Sequence, residues 1–196
     1  VPISLPMADE PPHERADAAR NRDAILAAAS RLVDEVGVEG LSMDCVAHAA
    51  GVGKGTLFRR FESREGLMAA VLNRSETEWQ SAVLAGPPPL GPGAAAYDRL
   101  LAMGHSRLRL NVTHGALIKA ATGSSGARSR AAAAFAIMHV RYLLGELGVD
   151  GDLPLLAIAI LAPLDITMIE QQQADDVTLE RIEAAWDDLV RRVVAG

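Results

Sequence analysis

Residues 51–61 read GVGKGTLFRRF. Glycines crowd around Lys54, as in a loop that wraps nucleotide phosphates, yet two arginines and a phenylalanine follow, as on a short helix laid against DNA. The phosphate loop needs Gly, four residues, then Gly-Lys-Ser/Thr, because backbone N–H groups surround the phosphates and the hydroxyl holds Mg²⁺. With Lys54 in register, His48 stands where the first Gly is needed and Gly55 where the hydroxyl is needed. The Gly-x-Gly-x-x-Gly spacing meets Thr56 when started at Gly51 and Phe58 when started at Gly53. The preceding MDCVAHAAG is helical in pattern, not strand-like. The nucleotide reading fails here.

The helical reading extends outward on both sides. Leu57 and Phe61 lie four apart and pack inward, leaving Lys54, Thr56 and Arg59 or Arg60 outward. Upstream, Ser42 offers its hydroxyl as N-cap to a short helix in which Met43, Val46, Ala47 and Ala50 share a face, and Gly51 ends it in a turn. A first helix is expected over 16–36, striped by Ile25, Ala28, Ala29, Leu32, Val33 and Val36 and stopped by Gly37 and Gly40. Downstream, Ser63 caps a fourth helix over 64–84, which GPPPLGPG (86–93) interrupts. Further helices are expected over 94–109, 111–122, 129–147, 153–172 and 178–195, with Pro163 kinking the fourth of these. The fold class is therefore all-α, with about nine helices.

Composition agrees. Aromatics are 4% of the chain, and Val/Ile/Thr-rich alternating segments are missing. The net charge of −6 argues against indiscriminate nucleic-acid binding. Charge is uneven, however: residues 15–64 hold eight Lys/Arg against seven Asp/Glu, and the remainder eleven against eighteen. A modestly basic segment on an acidic body suits a protein that touches DNA with one end. Cys45 is the sole cysteine, so no intrachain disulfide forms, and a reducing, cytoplasmic setting is expected. VPISLPMADEPPHE has no basic start or long apolar stretch and reads as a disordered tail over 1–15 rather than a signal peptide. The longest apolar run, LPLLAIAILAPL (153–164), is shorter than the roughly 20 residues of a membrane span.

Two short helices joined by a Gly turn form a helix-turn-helix, here over about 42–61, whose second helix enters the major groove of DNA. The stretch AILAAASRLVDEVGVEGLSMDCVAHAAGVGKGTLFRRFESREGLMAAVL closely resembles the N-terminal domain of the tetracycline-repressor (TetR) family of bacterial regulators. The match lies in AA..L....G, S...VA..AGV, GTLFRRF and S.E.L at conserved spacing; beyond Val71 the resemblance is one of helical architecture. It implies a homodimer with a helix-turn-helix domain over 16–75 and an effector-binding and dimerisation domain over 76–196. Thr56 matches the family's phosphate-contacting Thr, Phe58 stands where Tyr is usual, and Arg64 matches a Lys near the DNA backbone. Lys54 and Gly55 occupy the helix start, where members touch bases or phosphate, and Gly53 replaces a frequent Ser. With Ser42, Arg59 and Arg60, these are the candidate DNA contacts, Phe58 being equally a core residue. Arg15, Arg20 and Arg22 read as a solvated segment or as a flexible arm that reaches the minor groove or backbone.

No catalytic or metal signature emerges. The five histidines are scattered, with no HExxH, no Cys/His pairing at ligand spacing and no GxSxG elbow. GVDGDLPLL (148–156) lacks the ligand series of a calcium loop and reads as an interhelical turn. No cofactor is expected. Trp79, Met103, His105 and His114 are candidate walls of an apolar effector cavity. Phe135, Met138, Tyr142 and Met168 complete that set. The last two helices are expected to pair with their symmetry mates as a four-helix bundle. Leu156, Ile160, Ile169, Ile182, Trp186, Leu189 and Val193 would form that interface. The function expected is a repressor released from a pseudo-palindromic operator by a small apolar or amphipathic effector. A helical protein-interaction adaptor is the alternative, though it leaves GKGTLFRRF without a role.

Overall fold

The computed structural model describes residues 12–121 and 126–196. Among the described residues it contains ten α-helices, one 3-10 turn and no strand. The expected tail over 1–15 is shortened from its far end: residues 1–11 lie outside the described residues, and α1 (Pro12–Gly40) already begins at Pro12. Proline is well tolerated there because the first helical N–H has no intrahelical partner to lose. The chain divides into two compact units, one ending at Val71 and the other spanning Leu72–Gly196.

In the first unit, α1 is interrupted at Gly37, whose φ of 72° and ψ of 172° leave helical geometry. A side chain would be strained at such a φ. α2 (Met43–Ala50) packs against α1, and α3 (Lys54–Phe61) packs against α2. Ile25, Leu26, Ala29, Val46, Leu57, Leu67 and Met68 are all but inaccessible to solvent. α4 (Arg64–Ala85) runs through the boundary between the units. Its start is fixed by Ser63, whose Oγ accepts the Gly66 N–H at 3.0 Å.

The second unit is arranged around α5 (Ala96–Thr113), which meets α6 (Gly115–Ala121), α7 (Gly126–Glu146) and the segments beyond. The single bent helix expected over 153–172 is instead two helices. α8 (Leu153–Leu161) passes into a 3-10 turn (Ala162–Leu164), and α9 (Ile166–Ala174) restarts after Asp165. Pro163 cannot supply the helical N–H. Asp165, at φ −65° and ψ 139°, adopts extended backbone and accepts the Thr167 N–H at 2.9 Å, capping a new helix. α10 (Leu179–Ala195) is capped by Thr178 in the same way. No single helix among the described residues is long and apolar enough to cross a membrane, and α8 and α9 bury Ala157, Ile160 and Ile169 in this unit's own core.

Trp186 anchors α10 in that core. It is 2% exposed, and its indole N–H donates to the Ile160 carbonyl at 2.8 Å. Its ring lies directly over Gly104 of α5, where a Cβ would overlap the indole. Glycine is therefore required at 104 by close approach, not by backbone angle. We predict that Gly104→Ala lowers stability by about 1–3 kcal/mol in urea denaturation, the range for overpacking a filled core.

Candidate nucleic-acid interface

The helix-turn-helix rests on one left-handed residue. Gly51 adopts φ 66° and ψ 29°, and its N–H is directed at the carbonyls of Ala47 and His48. The Val52 N–H then returns to the Ala47 carbonyl at 3.0 Å, closing a turn that only glycine makes without strain. At the other end of α2, Ser42 Oγ accepts the Cys45 N–H at 3.1 Å. Its hydroxyl proton stays available to a further acceptor.

α3 has eight residues, too few to hold together alone. Leu57 at 0% and Phe61 at 6% exposure anchor it. That leaves Lys54, Gly55, Phe58 and Arg59 exposed on the opposite face, with Thr56 and Arg60 half-buried at its margins. Gly53 begins the helix without a side-chain cap, and no atom stands where its Cβ, or that of Gly55, would be. A ligand backbone can approach this end closely. Phe58 is 40% exposed, which decides between its two readings: it is a surface residue of α3.

Lys54 is held in place from within the motif. Its Nζ lies 2.7 Å and 2.9 Å from the two carboxylate oxygens of Asp44 on α2 and 5.9 Å from the centre of the Phe58 ring. The ion pair is largely exposed, so it contributes little to stability. Its effect is positional: the ammonium stays over the first turn of α3. Asp44 is the residue that sequence reasoning missed. It lies ten positions from Lys54 across a turn, beyond any helical spacing rule.

Arg64 does not present its charge to this face. Its Nε donates to the Leu41 carbonyl at 2.6 Å and its Nη2 to the Val38 carbonyl at 2.5 Å, joining the start of α4 to the chain between α1 and α2. Its guanidinium thus serves as an intramolecular tie. Arg22 likewise lies over the Phe61 ring, 5.6 Å from its centre, and Arg20 is exposed. Arg15 lies where side chains are not described.

Residues 25–71 match the model for bacterial regulatory proteins of the tetR family. Residues 25–71 form a TetR-type N-terminal domain. An HTH-type transcriptional regulator of Staphylococcus aureus is 43% identical over 60 residues, a match covering 31% of this chain and 32% of that protein. The likeness to such curated relatives thus spans about a third of their length. Solved structures extend the fold further. A TetR-like regulator from Rhodococcus superposes with a TM-score of 0.59 at 19% identity, covering 98% of this chain and all of the other. NemR of E. coli in its reduced form gives 0.62 at 19% identity, covering 88% and 96%.

In the second unit, the residues expected to wall an effector cavity have these surroundings. Trp79 and Met103 are buried. The Trp79 indole N–H donates to Ser106 Oγ at 3.0 Å, and its ring meets Phe135 edge-on at 5.8 Å. Phe135 stacks on His139, whose pKa is lowered by burial and by the neighbouring Arg99 guanidinium. His105 lies between two carboxylates of α10, 3.2 Å from Glu183 and 2.6 Å from Asp187. His114 pairs with Ser75 Oγ at 3.1 Å. Met138, Tyr142 and Met168 are exposed. None of these eight lines the open depression of about 210 Å³ that α5, α7, α8 and the 3-10 turn enclose. Helical stripes identify apolar faces but not which face borders a gap.

Four of the seven expected dimer contacts are already occupied within the chain. Ile160, Ile169, Ile182 and Trp186 are buried in the chain's own core, while Leu156, Leu189 and Val193 are half-buried. The large apolar residues that α8 and α9 leave exposed are Leu155, Ile158 and Met168. Arg64→Ala should destabilise the first unit by roughly 1–3 kcal/mol, since two buried-end carbonyls lose a charged donor; chemical denaturation followed by circular dichroism measures this. An unchanged midpoint would return Arg64 to the surface.

Proposed function

We propose that the chain is a DNA-binding transcriptional regulator, most simply a repressor, acting as a homodimer on a pseudo-palindromic operator. The observation that carries this reading is α3: a short helix with two buried anchors behind it and Lys54, Gly55, Phe58 and Arg59 in front, directly after a Gly51 turn. Arg59 supplies a phosphate contact, Thr56 and the Ser42 hydroxyl supply neutral ones, and Lys54 reaches bases or backbone. Phosphate contacts set the position of such a helix, and base contacts set its specificity. Two copies must be separated by one turn of DNA, about 34 Å, or a multiple. Effector binding in the second unit would shift α4, the helix that enters both units, and change that separation.

Fluorescence anisotropy with duplexes from the chain's own upstream region tests the reading. Arg59→Ala should weaken binding to every sequence and reduce the salt-dependence slope by about one. An unchanged slope would remove Arg59 from the phosphates, and absence of binding to any duplex at low salt would end the proposal, leaving the adaptor reading. The dimer is proposed to form through the exposed side of α8. Leu155→Glu, at a position 62% exposed, should convert a dimer to monomer in sedimentation at micromolar concentration without loss of helicity.

A further inference from the structure

Lys54 begins the outward face of α3 already paired. Its Nζ lies 2.7 Å from one carboxylate oxygen of Asp44 and 2.9 Å from the other, and the two side chains are 59% and 66% exposed. An ion pair so open to water adds little stability, so the fold does not depend on it. Its consequence lies in what the pair offers a partner. An ammonium carries three N–H donors, and a carboxylate oxygen carries more than one lone pair. One N–H directed between the Asp44 oxygens leaves two donors for a partner, and each oxygen can still accept. Side by side, 2.7 Å apart, the pair therefore shows donors and an acceptor with no net charge.

That combination is ill matched to a phosphate. A phosphate reaching Lys54 would meet the Asp44 carboxylate beside it, and the ammonium charge is already balanced at hydrogen-bond distance. A base edge suits it better. In the major groove a G·C pair presents, in line, guanine N7 and O6 as acceptors and the cytosine N4 amino group as a donor. An A·T pair also sets an acceptor, thymine O4, beside a donor, adenine N6. There, however, the thymine methyl flanks the acceptor and would strip water from the ammonium. Access is open, because no atom stands where a Cβ would be at Gly53 or Gly55, the neighbours of Lys54 on either side.

We propose that Asp44 and Lys54 act as one unit that reads a G·C pair in each half-site. Lys54 Nζ donates to guanine O6 and N7, and an Asp44 oxygen accepts from the cytosine N4 amino group. Asp44 is then a specificity-determining residue. It also keeps Lys54 off the DNA backbone, where any sequence would hold it. Such a unit presupposes the DNA-binding function proposed above and adds to it the identity of one base pair and the side chain that selects it.

The test is selection of duplexes by the full chain from a pool of randomised sequence, followed by anisotropy on the selected duplex and on versions changed at one pair. The wild-type chain should select G·C at one position of each half-site and bind the A·T version about tenfold or more weakly, as for a base contact. Asp44→Ala should bring the two versions to within about threefold of each other. It should also raise affinity for a duplex of unrelated sequence and increase the salt-dependence slope by about one, because the released ammonium moves to a phosphate. Damage to the fold would instead weaken every duplex. Lys54→Ala should relax the same position, and the double variant no further, since neither partner reads the pair alone. A preference that Asp44→Ala leaves intact, or a weakening of all duplexes by that variant, would overturn the unit and leave the regulator in place. So would relaxation of different positions by the two single variants. Failure of the wild-type chain to bind any duplex at low salt would remove the regulator, and the unit with it.

Discussion

Everything on the DNA side depends on the burial of two side chains. α3 is eight residues long, below the length at which a helix persists in water, so its existence and direction come from Leu57 and Phe61 entering the core of the first unit. The turn at Gly51 supplies the other constraint, bringing α3 away from α2 at an angle set by a left-handed residue. With two anchors on one side and a fixed entry, only one face of α3 can meet a partner. Its polar and aromatic residues are there because the inward face is full.

Around that frame, charges are used in two ways. Lys54 and Arg59 lie exposed on the outer face, with Asp44 restraining Lys54. Arg64 turns inward to two carbonyls where the chain leaves α1 and supports the fold instead. An arginine five positions from another is not automatically a second phosphate contact; its role follows from which carbonyls lie within reach.

The second unit shows the opposite balance. Its centre is apolar and tightly filled, to the point that Gly104 leaves no room for a methyl group beside Trp186. Such a core tolerates little, so its one incompletely satisfied buried amide, among the described residues, is conspicuous. Asn111, at the edge of the depression, ties α5 to the 3-10 turn through one end of its amide, and the other end is buried without a hydrogen-bond partner.

How much of this was legible in the residues varied with the range of the interactions. The helical periodicities, the caps at Ser42 and Ser63, the Gly51 turn and the sharing of one face by Leu57 and Phe61 rest on neighbours within four positions, so the linear order of residues determined them. Phe58 needed the fold to show it exposed. So did the break at Asp165, where a proline alone implied a bend, and the inward course of Arg64. The ion pair of Asp44 with Lys54, the burial of Ile160 and Trp186 within one chain, and the place of Asn111 beside a cavity join residues from separate helices. Only tertiary packing decided those, because local periodicity says which residues share a helix face but not what that face meets.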